Sequence, residues 1–170
     1  ARETGIALSE ALAGLPGITV QILGFTYGYP SMCIHNIAKR FNEKTSIRVL
    51  QMEAGGGNAD GSAVRWAARM ALAQAADRRV LIVLSDGAPT DGPLHQCPET
   101  DLRAAVEAAE RHGVETMGIG IQDRTVERYY PKHVVIRNVS DLSGTVLRAM
   151  VGFFTPEGIV KARQKAVKVS

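Results

Sequence analysis

The spacing of hydrophobic positions changes several times along this chain, and each change marks a predicted element. Over residues 4–15, Ile6, Leu8, Leu12 and Leu15 fall at helical spacing and Pro16-Gly17 ends the helix. Residues 18–25 are dominated by apolar side chains and read as a buried strand. Two readings stay open for the next segment: Met32, Ile34 and Ile37 fit an edge strand, while Ile34, Ile37, Ala38 and Phe41 fit a helix. Residues 45–52 carry no decisive period. Val64, Ala67, Ala68, Ala71, Leu72 and Ala75 then recur at helical spacing, and the small alanines let that helix pack closely. The single tryptophan, Trp66, sits beside Ala67 and is expected to be at least partly buried.

Val80-Leu81-Ile82-Val83-Leu84 is an unbroken apolar run, the pattern of a strand covered on both faces of a parallel sheet. A helix follows that Pro98 or Thr100 can start, with Leu102, Ala105, Val106 and Ala109 inward and Gly113 as its C-terminal cap. Residues 114–121 read as a strand, 124–130 as a short helix and 133–139 as a last strand. Ser140 is placed to cap a closing helix that buries Leu142, Val146, Leu147 and Met150. Strands alternating with helices predict an α/β fold with a doubly wound, mostly parallel central sheet flanked by helices. The predicted domain covers residues 1–154, and residues 155–170 form a basic tail.

Composition narrows the function classes. With 170 residues the chain is long enough to bury a core of its own as one domain. The net charge is only +3, and the excess is local, with Lys161, Arg163, Lys165 and Lys168 in the tail. A solvated terminus is the expectation there, and nucleic acid is not an expected partner. No apolar stretch is long enough to span a bilayer and no signal peptide is evident, so a cytoplasmic protein with no membrane partner is expected. Two cysteines, Cys33 and Cys97, are too few for a disulfide scaffold. Cys33-Ile34-His35 and His95-Gln96-Cys97 offer four zinc-type ligands, but a one-residue gap within each pair is not the usual zinc-finger spacing.

The candidate chemistry lies in two loops. Ser85-Asp86-Gly87-Ala88-Pro89-Thr90-Asp91 leaves the carboxyl end of the Val80 strand, the rim at which open α/β sheets bind ligands. Gly55-Gly56-Gly57-Asn58-Ala59-Asp60-Gly61 leads into the alanine-rich helix. Oxygen donors from both loops suit a hard divalent cation. The plainer alternative makes Asp86-Gly87 a tight turn and Asn58 or Asp60 a helix N-cap. Enzyme signatures are weak. Neither glycine-rich segment carries a phosphate-loop lysine, Gly118-Ile119-Gly120 lies inside a strand, and Ser85 has no evident histidine base.

In order along the chain, residues 20–26, the Asn58-Ala59-Asp60-Gly61 loop with Ala63 and Trp66-Ala67, residues 78–89, Gly118-Ile119-Gly120-Ile121 and Arg128-Tyr129-Tyr130 resemble the von Willebrand factor A (VWA) domain. Within that family they are most similar to the C-terminal VWA domain of the cobaltochelatase T subunit and related bacterial proteins. The resemblance implies a Rossmann-like fold and a metal-ion-dependent adhesion site (MIDAS) holding Mg²⁺ or another divalent cation. Asp86 matches the family's strand-end aspartate, Asn58 falls at the position of the threonine-type loop, and Asp60 is the neighbouring oxygen donor. The expected function is therefore a metal-dependent protein-interaction module, non-catalytic by itself, whose partner presents a carboxylate. Similarity to the cobaltochelatase subunit further implies a hexameric AAA+ ATPase as partner and a role in cobalt chelation for cobalamin biosynthesis. The rival readings are a small Mg²⁺-dependent phosphoryl-transfer enzyme and a metal-free structural VWA domain.

One part of the family pattern is missing from the sequence. No Asp-x-Ser-x-Ser occurs in it, and the resemblance places that loop and the first, central strand ahead of the helix over residues 4–15. The expectation is a strand preceding Ala1. Without it, the strands at residues 18–25 and 80–85 should pair directly or receive a strand in trans, because buried unpaired edges are costly.

Overall fold

A computed structural model describes residues 2–28, 31–38, 49, 57–90 and 97–137. The elements run in the order α1 (Arg2–Ala13), β1 (Ile22–Gly28), β2 (Ser31–Ala38), α2 (Asp60–Leu72), β3 (Arg79–Ser85), α3 (Pro98–Arg111), β4 (Val114–Ile121), a 3₁₀ turn (Thr125–Arg128) and β5 (His133–Ile136). The strands β3, β4 and β5 form a parallel sheet in that order, with Arg79 opposite Val114 and Gly118 opposite His133. Helices cover both faces of this sheet. On one face Leu8 and Leu12 of α1 pack with Ile119 and Ile136, joined by Ile82 and Leu84. On the other, Val64 of α2 and Leu102, Ala105 and Val106 of α3 pack with Val83, Val126, Tyr129 and Tyr130. The alternation of Ile82 and Leu84 with Val83 assigns successive side chains to opposite layers, as a strand's period of two requires. The doubly wound α/β architecture is thus the one the element order predicts.

Several boundaries differ from the pattern-based expectation, each for a local reason. Helix α1 stops at Ala13, so Leu15 lies beyond it and stands 45% exposed rather than in the core. Helix α2 stops at Leu72, short of Ala75, because Arg79 reaches back from β3 and its guanidinium donates to the carbonyls of Ala71 and Gln74 at 3.1 and 2.9 Å. The Ala71 carbonyl also accepts the Gln74 N–H at 3.1 Å, so the guanidinium reinforces the turn that ends the helix. Leu72 consequently emerges 39% exposed. The run at β3 is buried only at Val83 and half-buried elsewhere, since β3 borders the three-stranded sheet. Trp66 is half-buried, within the expectation for it.

Helix α3 follows its signals closely. Pro98 occupies the first turn, where its missing N–H costs nothing, and Gly113 takes φ +82° just past the end, a conformation that favours glycine. The predicted strand at residues 114–121 is β4, and the short helix is the 3₁₀ turn.

The first strand is corrected most. It begins at Ile22 rather than at residue 18 and pairs antiparallel with β2, Phe25 opposite Ile34. The strand reading of the ambiguous segment therefore holds and the helix reading does not. The hairpin satisfies β1 locally, and Ile18 and Val20 instead pack with Leu8 and Leu12. The hairpin and the parallel sheet are separate, so the first strand does not pair directly with β3 among the described residues, which was one of the two outcomes expected were no strand to precede Ala1. The expected closing helix after Ser140, the end of the strand predicted over residues 133–139, the basic tail and nearly all of the undetermined segment 45–52 lie outside the described residues. No helix among the described residues is long and apolar enough to cross a membrane.

Candidate functional site

Parallel register fixes where the two loops meet. Ser85 lies opposite Gly120, so Asp86 leaves the sheet beside the carboxyl end of β4. Arg79 at the start of β3 holds the C-terminus of α2, which brings the N-terminus of α2 to this same rim. Asp60 is the first residue of that helix.

Asn58 and the loop after β3 are joined by a reciprocal pair of hydrogen bonds. The Asn58 N–H donates to Thr90 Oγ1 at 3.0 Å, and the Thr90 N–H donates to the Asn58 carbonyl at 3.1 Å. At the near end of the same loop, Ser85 Oγ donates to the Gly87 carbonyl at 2.8 Å. Asp86 is exposed between these two ties, whereas Asp60 is only 4% exposed. The buried Asp60 Oδ2 has no hydrogen-bond partner among the described residues. Burial, with a further contribution from the negative charge of Asp86, pushes the Asp60 carboxyl up to about 6. The three candidate residues named from the sequence, Asp86, Asn58 and Asp60, are therefore brought to one rim.

The plainer reading of these residues as caps is not what the fold does. Ala59 occupies the N-cap of α2 and no side chain caps it. A carboxylate at a helix N-terminus is favoured by the helix dipole, but burying it without a hydrogen bond is costly.

Sequence reasoning missed three supports of this rim. Tyr130 is 3% exposed, and burial followed by the negative charge of Asp60 raises its phenol well above the ordinary value. Gly118 makes room for the ring: a Cβ there would lie 2.7 Å from Tyr130 Cγ. Within Gly118-Ile119-Gly120, Gly118 is thus the floor for the aromatic ring and Gly120 admits Asp123 and Val126, so both glycines serve packing. On the other side, Arg65 Nη2 donates to both oxygens of Asp101 at 2.7 and 2.8 Å, and the Asp101 side chain is 3% exposed. Asp101 lies so close to Gly61 that a Cβ at Gly61 would overlap its carboxylate. Glycine after Asp60 is what lets α2 and α3 meet here. The signals available were the Asp60-Gly61 pair and the tyrosines after β4, but their partners are distant in sequence.

The donor set is one of oxygens: two carboxylates and an amide, with room for water on the exposed Asp86 side. Such donors fit a hard cation that keeps part of its hydration shell. No group of three or more histidine, cysteine or acidic side chains suited to a metal occurs among the described residues. Of the zinc-type pairs, Cys97 is exposed, Cys33 and His35 belong to β2, and residues 95 and 96 lie outside the described residues. Ser85 has its hydroxyl engaged with Gly87, and no histidine contact to it is among the described interactions.

Comparison with known proteins gives two kinds of match. The family described as the cobalamin biosynthesis protein CobT VWA domain matches residues 34–155. Two structures of proximal thread matrix protein 1 from the mussel byssus share the fold at a TM-score of 0.59, with 14% and 15% identity. Each alignment covers 88% of this chain but only 41% or 40% of the mussel chain, so this chain spans about two fifths of the proteins it matches. One of these mussel structures is described as having a zinc-occupied MIDAS motif.

Proposed function

The chain belongs to the CobT VWA domain family, and from that premise we propose that it is a cation-dependent protein-interaction module whose binding edge is the rim formed by Asn58, Asp60 and Asp86. The observation that carries this reading is Asp60: a buried carboxylate with an unpartnered oxygen, raised by its own burial and by a second carboxylate next to it. A divalent cation offsets both penalties at once, supplying the missing partner and neutralising the repulsion. Asp86 and Asp60 would hold the ion, with Asn58 contributing its amide oxygen directly or through water. Mg²⁺ suits this oxygen set, and the zinc-occupied MIDAS of the mussel protein supports a divalent ion in this type of fold. Held by these residues, such an ion would offer a Lewis-acidic position to a carboxylate from a partner protein.

Family membership extends the proposal to the partner. An AAA+ ATPase would carry the nucleotide chemistry, and this domain would couple it to cobalt insertion into a tetrapyrrole during cobalamin biosynthesis. The domain's own part is recognition: Arg65, Asp101 and Tyr130 hold the rim in shape, and the exposed Asp86 meets the partner. The test is the affinity of the chain for the AAA+ ATPase in Mg²⁺ and in chelator. Binding that needs Mg²⁺ and is lost in Asp86→Ala supports the proposal. Equal affinity in both conditions contradicts it and favours the metal-free structural reading.

A further inference from the structure

Thr90 lies at the far end of the loop that leaves β3 and is not one of the candidate ligands, yet it is the residue that ties that loop to the Asn58-Ala59-Asp60-Gly61 loop. Its hydroxyl accepts the Asn58 N–H at 3.0 Å and its own N–H donates to the Asn58 carbonyl at 3.1 Å, across 32 residues of sequence. The loop it closes starts at Ser85, whose hydroxyl is turned inward onto the Gly87 carbonyl. Asp86 therefore lies on a loop held at both ends, and the far tie is made to the backbone of another candidate ligand residue. Pro89, buried immediately before Thr90, fixes the approach of the chain to that tie.

We propose that Thr90 is a positioning residue that sets the separation of the Asn58 and Asp86 side chains and so prepares the rim for a divalent cation. This rests on the cation reading above. Two loops that must be brought into register when an ion arrives lose binding free energy to ordering, and a tie already present in the ion-free protein removes part of that loss. The side-chain half of the tie is specific to a β-hydroxyl. Valine keeps the branched shape and the backbone N–H but cannot accept the Asn58 N–H, whereas serine retains the acceptor.

The experiment measures Mg²⁺ affinity by calorimetry for the native chain, Thr90→Val, Thr90→Ser and Asp86→Ala, together with amide hydrogen exchange at Asn58 in Mg²⁺-free buffer. The expected result is about a three- to tenfold weaker affinity for Thr90→Val, the equivalent of one ordinary hydrogen bond. Thr90→Ser stays near native affinity, Asn58 exchanges faster in the valine variant, and the melting temperature moves little because Thr90 is exposed. Faster exchange with unchanged affinity overturns the positioning role and leaves the cation reading intact. Equal weakening by serine and valine also overturns it. A native chain that binds no Mg²⁺ overturns the cation reading and this proposal with it.

Discussion

Adding one methyl group at Gly118 tests the packing beneath the rim. A Cβ at this position would lie 2.7 Å from Tyr130 Cγ and 3.1 Å from Tyr130 Cβ, and nearer still to Cδ2. These atoms are the root of the side chain rather than a flexible tip, and Tyr130 is 3% exposed, so the ring has little space to retreat into. The backbone of Tyr130 is also fixed, its N–H bonded to the Val126 carbonyl at 3.0 Å. Overpacking of this kind costs about 1–3 kcal/mol, offset by roughly 0.4–1 kcal/mol because alanine restricts the unfolded chain more than glycine does. Gly118→Ala should therefore lose about 1–2 kcal/mol in urea unfolding, and on the order of 2–8 °C in melting temperature. In a Tyr130→Ala background the same substitution should cost clearly less, because the ring is gone and only the Cβ at 3.1 Å remains in its way. Native-like stability of Gly118→Ala, or an equal loss in both backgrounds, would refute the argument that this glycine exists to admit the ring.

Two further predictions concern charges at the site. Asp60 binds its proton more tightly in the folded state, about 6 against the ordinary 3.8, so its contribution to stability is greatest at low pH and is lost as pH rises through that window. The loss is on the order of 3 kcal/mol, and the difference in stability between the Mg²⁺-free native chain and Asp60→Asn should change by that order between pH 4 and 7; a difference independent of pH would refute the assignment. Arg65→Ala leaves the buried Asp101 carboxylate without its guanidinium, and since Arg65 is itself 35% exposed the cost should fall near the lower end for such pairs, about 3 kcal/mol. Removing Asp101 as well should recover part of that loss in denaturant titrations, and strict additivity of the two substitutions would show that the pair is not coupled.

How much was legible in advance depended on the range of the interactions involved. Helix α3 and strand β4 could be read almost to the residue because their determinants are local: proline in the first turn and glycine past the last turn bound the helix, and that same glycine, Gly113, sets the start of the strand with Val114, Met117, Ile119 and Ile121. Leu15 and Ala75 were placed in helices that end before them, because helical spacing in the sequence continues past the point where the chain turns, and only the folded structure supplies those interruptions. The antiparallel pairing of β1 with β2 was hidden for a similar reason. An apolar run lacking clear alternation does not reveal which strand it will pair with.

The candidate site divides along the same line. Asp86, Asn58 and Asp60 were identifiable because strand-end position and family resemblance both point to them. The residues that shape the rim were not. Thr90 meets Asn58 across 32 positions and Arg65 meets Asp101 across 36, and Gly118 acquires its meaning only when Tyr130 folds back onto it. Such contacts leave no periodic trace in a single sequence, although the Asp60-Gly61 pair marked one of the places where two backbones had to come close.

The central claim, that this rim binds a divalent cation through Asp86, is tested most directly by calorimetric titration of Mg²⁺ into the ion-free chain at pH 7, alongside Asp86→Ala with its fold verified by circular dichroism. One saturable site in the native chain, absent from the folded variant, is the predicted result. No binding by the native chain, or the same isotherm for both proteins, would contradict it.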